Sequence, residues 1–215
     1  MTSTSEVVLE LGSVGLVGDL AVPSSCDAIV LFAHGSGSSR RSSRNVAVAA
    51  ALQESGLGTL LFDLLSDEEA AIDARTAALR FDIAFLADRL LGATRWVGAA
   101  NHLRDLRIGY FGASTGAAAA LVAAAEEQRV GAVVSRGGRP DLAGAALARV
   151  TSPTLLIVGG ADSPVIAMNE EAMKQLPCEK RMDVVPGATH LFEEPGALER
   201  VSELARDWFV DKLSS

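Results

Sequence analysis

The segment from residue 107 to residue 128 restricts the fold of this 215-residue chain more than any other. Residues 107–111 form an apolar run that predicts a strand, and the alanine-rich residues 117–128 predict a helix. Only the turn Gly-Ala-Ser-Thr-Gly at residues 112–116 separates the two. A strand that passes so sharply into a helix is typical of α/β proteins, and it projects the side chain of Ser114 from the carboxyl edge of the sheet.

Strand-like and helix-like segments alternate along the rest of the sequence. The predicted strands are residues 6–11, 15–22, 28–33, 58–64, 107–111, 130–134, 153–158 and 180–185. The predicted helices are residues 44–55, 81–98, 117–128, 141–149, 168–176 and 197–213. The first two strands flank a Gly-Ser turn and predict an antiparallel hairpin. Alternation at this spacing predicts a mostly parallel sheet of about eight strands with helices on both faces.

We expect a single domain over residues 1–215, because this length suits one α/β core better than two. The predicted elements use nearly all of the sequence. Residues 65–80, an acidic loop that can include a short helix, form the one segment left over that could serve as a lid over a site. We therefore expect little or no lid and an open pocket that favours small acyl groups over long lipids.

The formal net charge of the chain is −8, from 27 acidic and 19 basic side chains. An acidic surface repels polyanions, so neither nucleic acid nor an anionic membrane is an expected partner. The first residues lack the basic and apolar regions of a signal peptide, and there is no apolar run of about 18 residues that could span a membrane. We expect a cytoplasmic protein that acts on a small molecule. The sequence does not predict its oligomeric state.

The cysteines and histidines of the chain are few and scattered. Cys26 and Cys178 fit two free thiols in a reducing compartment better than a disulfide, which the sequence also permits. These side chains form no cluster with metal-ligand spacing. The glycine-rich residues 35–39 lack the Gly-Lys-Ser/Thr ending of a phosphate loop. We expect neither a metal nor a cofactor.

Ser114 is the candidate nucleophile. The glycines two residues before and after it let the strand and the helix approach closely around a strained backbone. The N-terminus of the helix that follows offers free N–H groups and the positive end of its dipole, which suit a developing oxyanion. The alternative is that Ser114 only caps this helix. The strand before it and the helix after it favour the nucleophile.

A serine nucleophile needs a base, and the chain has three histidines. His34 follows the buried strand 28–33, and His190 lies in a loop just after the last strand, so both are expected at the carboxyl edge of the sheet. His102 precedes the strand of Ser114 and falls at the opposite edge. We favour His190 as the base, with His34 as the alternative.

Asp162 is the candidate that would orient the base. It follows the strand 153–158 in the run Gly-Gly-Ala-Asp, and the alternative is that it caps a helix before Pro164. The order Ser114, Asp162, His190 along the chain is the order that the α/β-hydrolase architecture requires. Three separate placements that agree favour a catalytic triad.

Four runs of this sequence resemble the α/β-hydrolase superfamily. They are LFAHGSGSSR at residues 31–40, Gly-Ala-Ser-Thr-Gly at 112–116, Gly-Gly-Ala-Asp at 159–162 and Gly-Ala-Thr-His at 187–190. Within the superfamily the chain is similar to dienelactone hydrolase-like proteins and to the hydrolase domains fused to phosphoribosyltransferases. The resemblance extends over nearly the whole chain, and its motifs are far more specific to the superfamily than to a substrate.

The resemblance implies a role for each matching residue. Ser114 would be the nucleophile, His190 the general base and acid, and Asp162 its orienting partner. The oxyanion hole would come from the backbone N–H groups of Thr115 and Ser36. His34, in the loop with Gly35 beside the substrate, would position that loop. One difference stands out: dienelactone hydrolases carry cysteine as nucleophile where this chain has serine, which favours ordinary ester hydrolysis.

Arginines near the expected site have two interpretations. Arg136 follows the strand 130–134 and could bind an anionic group of the substrate, although an ion pair with Asp141 or Asp63 is the favoured interpretation. Arg40, Arg41 and Arg44 form a basic cluster beside the His34 loop, and we expect them on a solvated face.

Three functions fit these residues. The leading hypothesis is a serine carboxylesterase that cleaves small esters through an acyl-enzyme, without metal or cofactor. Acyl transfer or thioester cleavage by the same triad is the second. The third is a catalytically silent hydrolase scaffold used for binding, which the intact set of three residues disfavours.

Overall fold

The computed structural model of the chain describes residues 2–213. Its strands are β1 (Thr2–Leu11), β2 (Val14–Pro23), β3 (Ala28–Ala33), β4 (Gly58–Phe62), β5 (Arg107–Ala113), β6 (Val130–Arg136), β7 (Thr154–Gly159) and β8 (Lys180–Val185). Its helices are α1 (Ser43–Glu54), α2 (Asp67–Thr76), α3 (Ile83–Ala99), α4 (Thr115–Glu126), α5 (Ser163–Gln175) and α6 (Ala197–Leu213), with a 3₁₀ helix at Pro140–Arg149. The predicted alternation of strands and helices is confirmed.

All eight strands belong to one sheet, in the order β1-β2-β4-β3-β5-β6-β7-β8. The first two strands form the predicted antiparallel hairpin, and β2 also pairs antiparallel with β4. Every pair from β4 through β3 to β8 is parallel. The carboxyl ends of six strands therefore meet at one edge, which is where α/β proteins bind their ligands.

Two apolar layers enclose the sheet. Helices α1 and α6 pack on one face, where Leu52 and Phe209 are fully buried. Helices α3 and α4 cover the other face with α5 and the 3₁₀ helix, and α4 contributes small alanine side chains that let it approach the strands closely. All six residues of β3 are buried, as a strand covered on both faces requires.

Two of the predicted helices differ from the prediction in type or by more than two residues at an end. Helix α5 begins at Ser163, five residues before the predicted start at 168, because Pro164 is well tolerated in the first turn of a helix. The 3₁₀ helix Pro140–Arg149 occupies the place of a predicted ordinary helix and is kinked at Gly144, where φ is 52°. Neither difference moves the edge of the sheet that carries the candidate residues.

Residues 65–80, expected to be a loop with a short helix, contain α2. Its first turn is closed by a capping box, in which Ser66 and Glu69 each accept a hydrogen bond from the other's backbone N–H. Ala70 and Asp73 of this helix line a small cavity beside the His34 loop. This short segment is a partial cover, in keeping with the expected small lid. No helix within residues 2–213 is long and apolar enough to cross a bilayer.

Candidate active site

The backbone at Ser114 is strained, as the sequence predicts. Ser114 has φ 51° and ψ −120°, a region that residues with a side chain rarely occupy. A Cβ atom on Gly112 would lie 2.4 Å from Cα of Ala117, and one on Gly116 would lie 2.2 Å from the carbonyl oxygen of Ala33. The two glycines are therefore required for the close crossing of strand and helix that holds Ser114 in this conformation.

Ser114 stands at the N-cap position of α4, but its side chain makes no capping hydrogen bond. Instead, its Oγ lies 3.3 Å from Nε2 of His190. The geometry therefore favours Ser114 as a nucleophile over Ser114 as a helix cap. The hydroxyl is directed at an imidazole that could take its proton.

Asp162, like Ser114, lies at a helix N-terminus but directs its side chain at His190. It occupies the N-cap position of α5 without a side-chain capping bond, and its Oδ2 lies 2.7 Å from Nδ1 of His190. The carboxylate is mostly buried, with 15% of its side chain exposed, whereas 39% of the His190 side chain is exposed. A hydrogen bond from Nδ1–H to the carboxylate leaves Nε2 as the free acceptor that faces Ser114.

His34, the alternative base, does not contact Ser114 Oγ. Its Nε2 accepts a hydrogen bond from the backbone N–H of Leu64 at 3.1 Å, so Nδ1 carries the proton and donates to the carbonyl oxygen of Gly35 at 3.0 Å. Burial lowers the pKa of His34 below its usual value. A neutral imidazole thus ties the loop after β3 to the loop after β4.

The two candidate oxyanion donors lie next to each other. Thr115 is the first residue of α4, so its N–H has no partner within the helix. The N–H of Ser36 donates to the hydroxyl oxygen of Thr115 at 2.9 Å. A substrate oxyanion would have to share this N–H with the Thr115 hydroxyl or replace the hydroxyl as its acceptor.

Two cavities adjoin the site. One, of about 210 Å³, is lined by Ser114, His190, Arg136 and Arg44 together with hydroxyl groups of the 36–42 loop. The other, of about 130 Å³, lies beside Thr115 and His34. Leu64, Leu65, Ala70 and Leu86 form its aliphatic side, and the ion pair of Asp73 and Arg80 also lines it. A larger groove of about 670 Å³ lies between β1 and α3, away from the serine.

Arg136 does not form the predicted ion pair. Asp141 pairs with Arg139 at 2.7 Å, and Asp63 pairs with Arg40 at 2.6 Å. Both carboxylates therefore have another arginine as their partner. Arg136 is buried at the end of β6 and points into the cavity that contains Ser114. The favoured interpretation of this arginine was therefore wrong.

The basic cluster is not a uniformly solvated face either. The Arg40 side chain is only 10% exposed and contacts three carboxylates, those of Asp63, Asp19 and Glu6. It joins the His34 loop to β2 and to the end of β4. The expectation of a solvated face was wrong for Arg40, since three acidic groups from distant parts of the chain surround it.

Some functional neighbours could not be found from the sequence. Asn45, buried in α1, accepts a hydrogen bond from Nη2 of Arg136 at 3.3 Å. Phe192, with φ 56°, places its ring 5.9 Å from the guanidinium carbon of Arg136. Both contacts join segments far apart in sequence, and neither residue has a local pattern that distinguishes it from an ordinary helix or loop residue.

The mostly parallel eight-stranded sheet, with Ser114 at a strand–helix elbow on its carboxyl edge, defines an α/β-hydrolase. The sequence model of the dienelactone hydrolase family matches residues 19–210, and the chain belongs to this family. A crystal structure of a dienelactone hydrolase from Anabaena variabilis is 58% identical, with a TM-score of 0.98 over 99% of both chains.

Two further relatives extend the comparison. A Mycobacterium tuberculosis protein named "Putative phosphoribosyl transferase" is 55% identical over 209 residues, which are 97% of this chain and 46% of that protein. The chain thus spans about half the length of this relative. Est1E from Butyrivibrio proteoclasticus has the same fold, with a TM-score of 0.81 at 16% identity over 98% of this chain and 99% of its own. Family and fold together support a hydrolase.

Proposed function

We propose that this protein is a serine hydrolase that cleaves small carboxylic esters through an acyl-enzyme on Ser114. The observation that carries the proposal is the position of His190, whose ring nitrogens lie 2.7 Å from Asp162 Oδ2 and 3.3 Å from Ser114 Oγ. This is the arrangement of nucleophile, base and orienting acid that activates a serine at neutral pH.

Acylation follows from these contacts. Ser114 Oγ attacks the ester carbonyl carbon while His190 Nε2 takes the hydroxyl proton. Asp162 accepts the Nδ1–H bond throughout and stabilises the imidazolium that forms. The tetrahedral intermediate collapses when the C–O bond to the alcohol breaks and His190 returns its proton to the leaving oxygen. A water molecule then repeats the sequence on the acyl-enzyme and releases the acid.

The oxyanion of the tetrahedral intermediate would be bound by backbone donors. The N–H of Thr115 is available at the positive end of α4, and the N–H of Ser36 becomes available when the Thr115 hydroxyl shares or yields its place. Donors fixed by a helix and an anchored loop need little rearrangement during the reaction, which is what makes an oxyanion hole effective.

The two cavities suggest where each half of the ester lies. His190 lines the polar cavity of about 210 Å³, so the alcohol, which must receive its proton, belongs there. The acyl group then lies against the aliphatic side of the cavity of about 130 Å³, beside the Thr115 and Ser36 donors. The small volume supports short acyl chains over long ones.

Labelling with a fluorophosphonate probe tests the proposal. The wild-type protein should be labelled covalently at Ser114 and should hydrolyse 4-nitrophenyl acetate, whereas Ser114→Ala should do neither. Ser13→Ala is the matched control and should behave like the wild type, since Ser13 is an exposed serine in the turn between β1 and β2 and lines neither cavity. A folded wild-type protein that neither labels nor hydrolyses short esters would contradict the proposal and favour a binding scaffold.

A further inference from the structure

Among the residues that the structure describes, Arg136 is a buried cation without a counter-charge. Its side chain ends β6, and the residue is only 7% exposed. Within residues 2–213 no carboxylate lies at ion-pair distance from it, and the two expected partners, Asp141 and Asp63, pair with other arginines. Burying an unpaired charge is costly, so such a group calls for an anionic partner.

The hydrogen bonds of Arg136 are also incomplete. A guanidinium group offers five N–H donors. In the described part of the chain, Arg136 has one side-chain acceptor, Asn45 Oδ1 at 3.3 Å, and its buried Nε has none. The ring of Phe192 lies on one side of the guanidinium. The remaining donors belong to a side chain that lines the polar cavity next to Ser114.

A second cation lines the same cavity. Arg44 pairs at its rim with Glu193 at 3.1 Å, an exposed carboxylate whose side chain is 65% solvent-accessible. The buried Nε of Arg44 has no partner in the described part of the chain. Burial, with a smaller contribution from the positive charge of Arg44, lowers the pKa of the Arg136 guanidinium to about 10. Two like charges brought together around an open space favour an anion between them.

The N-terminus of α1 adds to this positive field. Ser42, its N-cap, lines the cavity and makes no side-chain capping bond, and the first turn of α1 contains no acidic residue. The free N–H groups and the helix dipole at this end attract anions. Hydroxyl groups of Ser36 and Ser38 complete the lining and can donate further hydrogen bonds.

From these contacts we infer that the alcohol half of the substrate carries an anionic group, a carboxylate or a phosphate, bound by Arg136 and Arg44. The inference rests on the proposed function, because it is His190 in the same cavity that assigns this space to the alcohol. Arg136 sets the specificity from the floor of the cavity, and Arg44 contributes from the rim.

Matched esters test the inference. Acetoxyacetate carries a carboxylate on its alcohol half, acetoxyacetamide replaces the carboxylate with a neutral amide, and 2-acetoxyethyl phosphate carries a phosphate instead. All three contain the same acetyl group, so the measured quantity is the ratio of kcat/KM for each anionic ester to kcat/KM for the amide. Comparison of this ratio between protein variants cancels the different intrinsic reactivities of the esters.

The variants separate charge from shape. Arg136→Met keeps much of the side-chain volume, and we expect it to lower the anionic-to-neutral ratio about 10- to 100-fold, the effect of losing a charge-assisted hydrogen-bond pair. Arg136→Lys restores the charge without the planar fork and should give an intermediate ratio. Arg44→Gln should lower the ratio only several-fold, because the group is partly exposed and shared with Glu193.

Arg41→Gln is the matched control. Arg41 belongs to the same loop and is exposed, and it does not line the cavity. This variant removes one positive charge from the surface and should leave the ratio unchanged. If Arg136→Met lowers the anionic-to-neutral ratio for neither anionic ester relative to the wild type, the inference is overturned while the esterase proposal stays intact.

Failure of the esterase proposal would look different. In that case none of the three esters is hydrolysed and the fluorophosphonate does not label Ser114. The existence of the anion site is then tested separately, by measuring the thermal unfolding temperature (Tm) of the protein in the presence of glycolate, glycolamide or inorganic phosphate. We expect glycolate or phosphate to raise the Tm of the wild type and not of Arg136→Met, and glycolamide to raise neither. Equal shifts in both proteins, or none, would overturn the anion site.

Discussion

Nδ1 of His190 lies 2.7 Å from Oδ2 of Asp162, while Nε2 of the same ring faces Ser114 Oγ at 3.3 Å. A carboxylate at this distance accepts a hydrogen bond from Nδ1–H and so fixes the tautomer of the ring. The imidazole can then receive a proton only at Nε2, next to the serine. This hydrogen bond is the contact on which the proposed chemistry depends.

Asp162→Asn should therefore lower kcat far more than it raises KM. An amide can present an N–H to Nδ1 and hold the wrong tautomer, which in a comparable triad lowers kcat about 10⁴-fold. Steady-state kinetics with 4-nitrophenyl acetate will measure the effect. Asp141→Asn, at a carboxylate that pairs with Arg139 outside the site, serves as control and should retain full activity. Retention of a tenth or more of kcat by Asp162→Asn would exclude the orienting role.

Ser114→Gly should be more stable than Ser114→Ala. Both variants remove the nucleophile, but only glycine adopts φ 51° and ψ −120° without strain. We expect the free energy of unfolding of the glycine variant to exceed that of the alanine variant by about 1 kcal/mol. Urea titrations of the two proteins will measure the difference. Equal stabilities would mean that the elbow stores no strain.

Gly116→Ala should destabilise the protein by about 3 kcal/mol or more, because the new Cβ would lie 2.2 Å from the carbonyl oxygen of Ala33. Gly12→Asn is the control. Gly12 has a positive φ of 71° with open space around it, and asparagine tolerates this conformation better than other residues. The free energy of unfolding of the Gly12→Asn variant should differ from that of the wild type by less than about 1 kcal/mol. Similar losses in both variants would refute the steric explanation of the elbow.

The stability of the protein should decrease as the pH falls below about 6.5. His34 is buried as a neutral ring, so its pKa is lower in the folded than in the unfolded chain. As the pH falls, His34 of the unfolded chain is therefore protonated before His34 of the folded chain. The neutral His34 contributes its full stabilisation above its pKa in the unfolded chain, and this contribution is lost as the pH falls towards its pKa in the folded chain. Urea unfolding between about pH 7 and about pH 5 will measure a slope of up to about 1.4 kcal/mol per pH unit from this group.

His34→Gln provides the comparison for that slope. Glutamine can still accept the Leu64 N–H bond but does not titrate, and the other two histidines remain in both proteins. The difference in slope between the two proteins therefore belongs to His34. Parallel pH profiles for the wild type and His34→Gln would show that His34 does not contribute to the pH dependence.

The sequence predicted the sheet, its opening hairpin and the residues at its carboxyl edge well. Strands β3 and β8 and helix α6 have the bounds that their apolar patterns indicated, since burial on a regular element leaves a period in the sequence. The start of α5 was missed because residues 163–167 begin the helix before its apolar spacing becomes visible. Periodicity detects the buried face of an element better than its ends.

The partners of charged side chains were predicted less well. Arg136 was assigned to Asp141 or Asp63, and both carboxylates bind other arginines. Its acceptor, Asn45, lies 91 residues away in sequence. The ion-pair partner of a charged side chain depends on how the strands and helices pack against each other. No local pattern in the sequence predicts that packing.

The acyl-enzyme is the central claim, and mass spectrometry of the acid-quenched protein during turnover of 4-nitrophenyl acetate tests it most directly. We predict that an acetyl group appears on the peptide containing Ser114, as fast as or faster than steady-state turnover, and is absent from Ser114→Ala. Hydrolysis of the ester without acetylation of Ser114, or undiminished turnover by Ser114→Ala, would contradict the account.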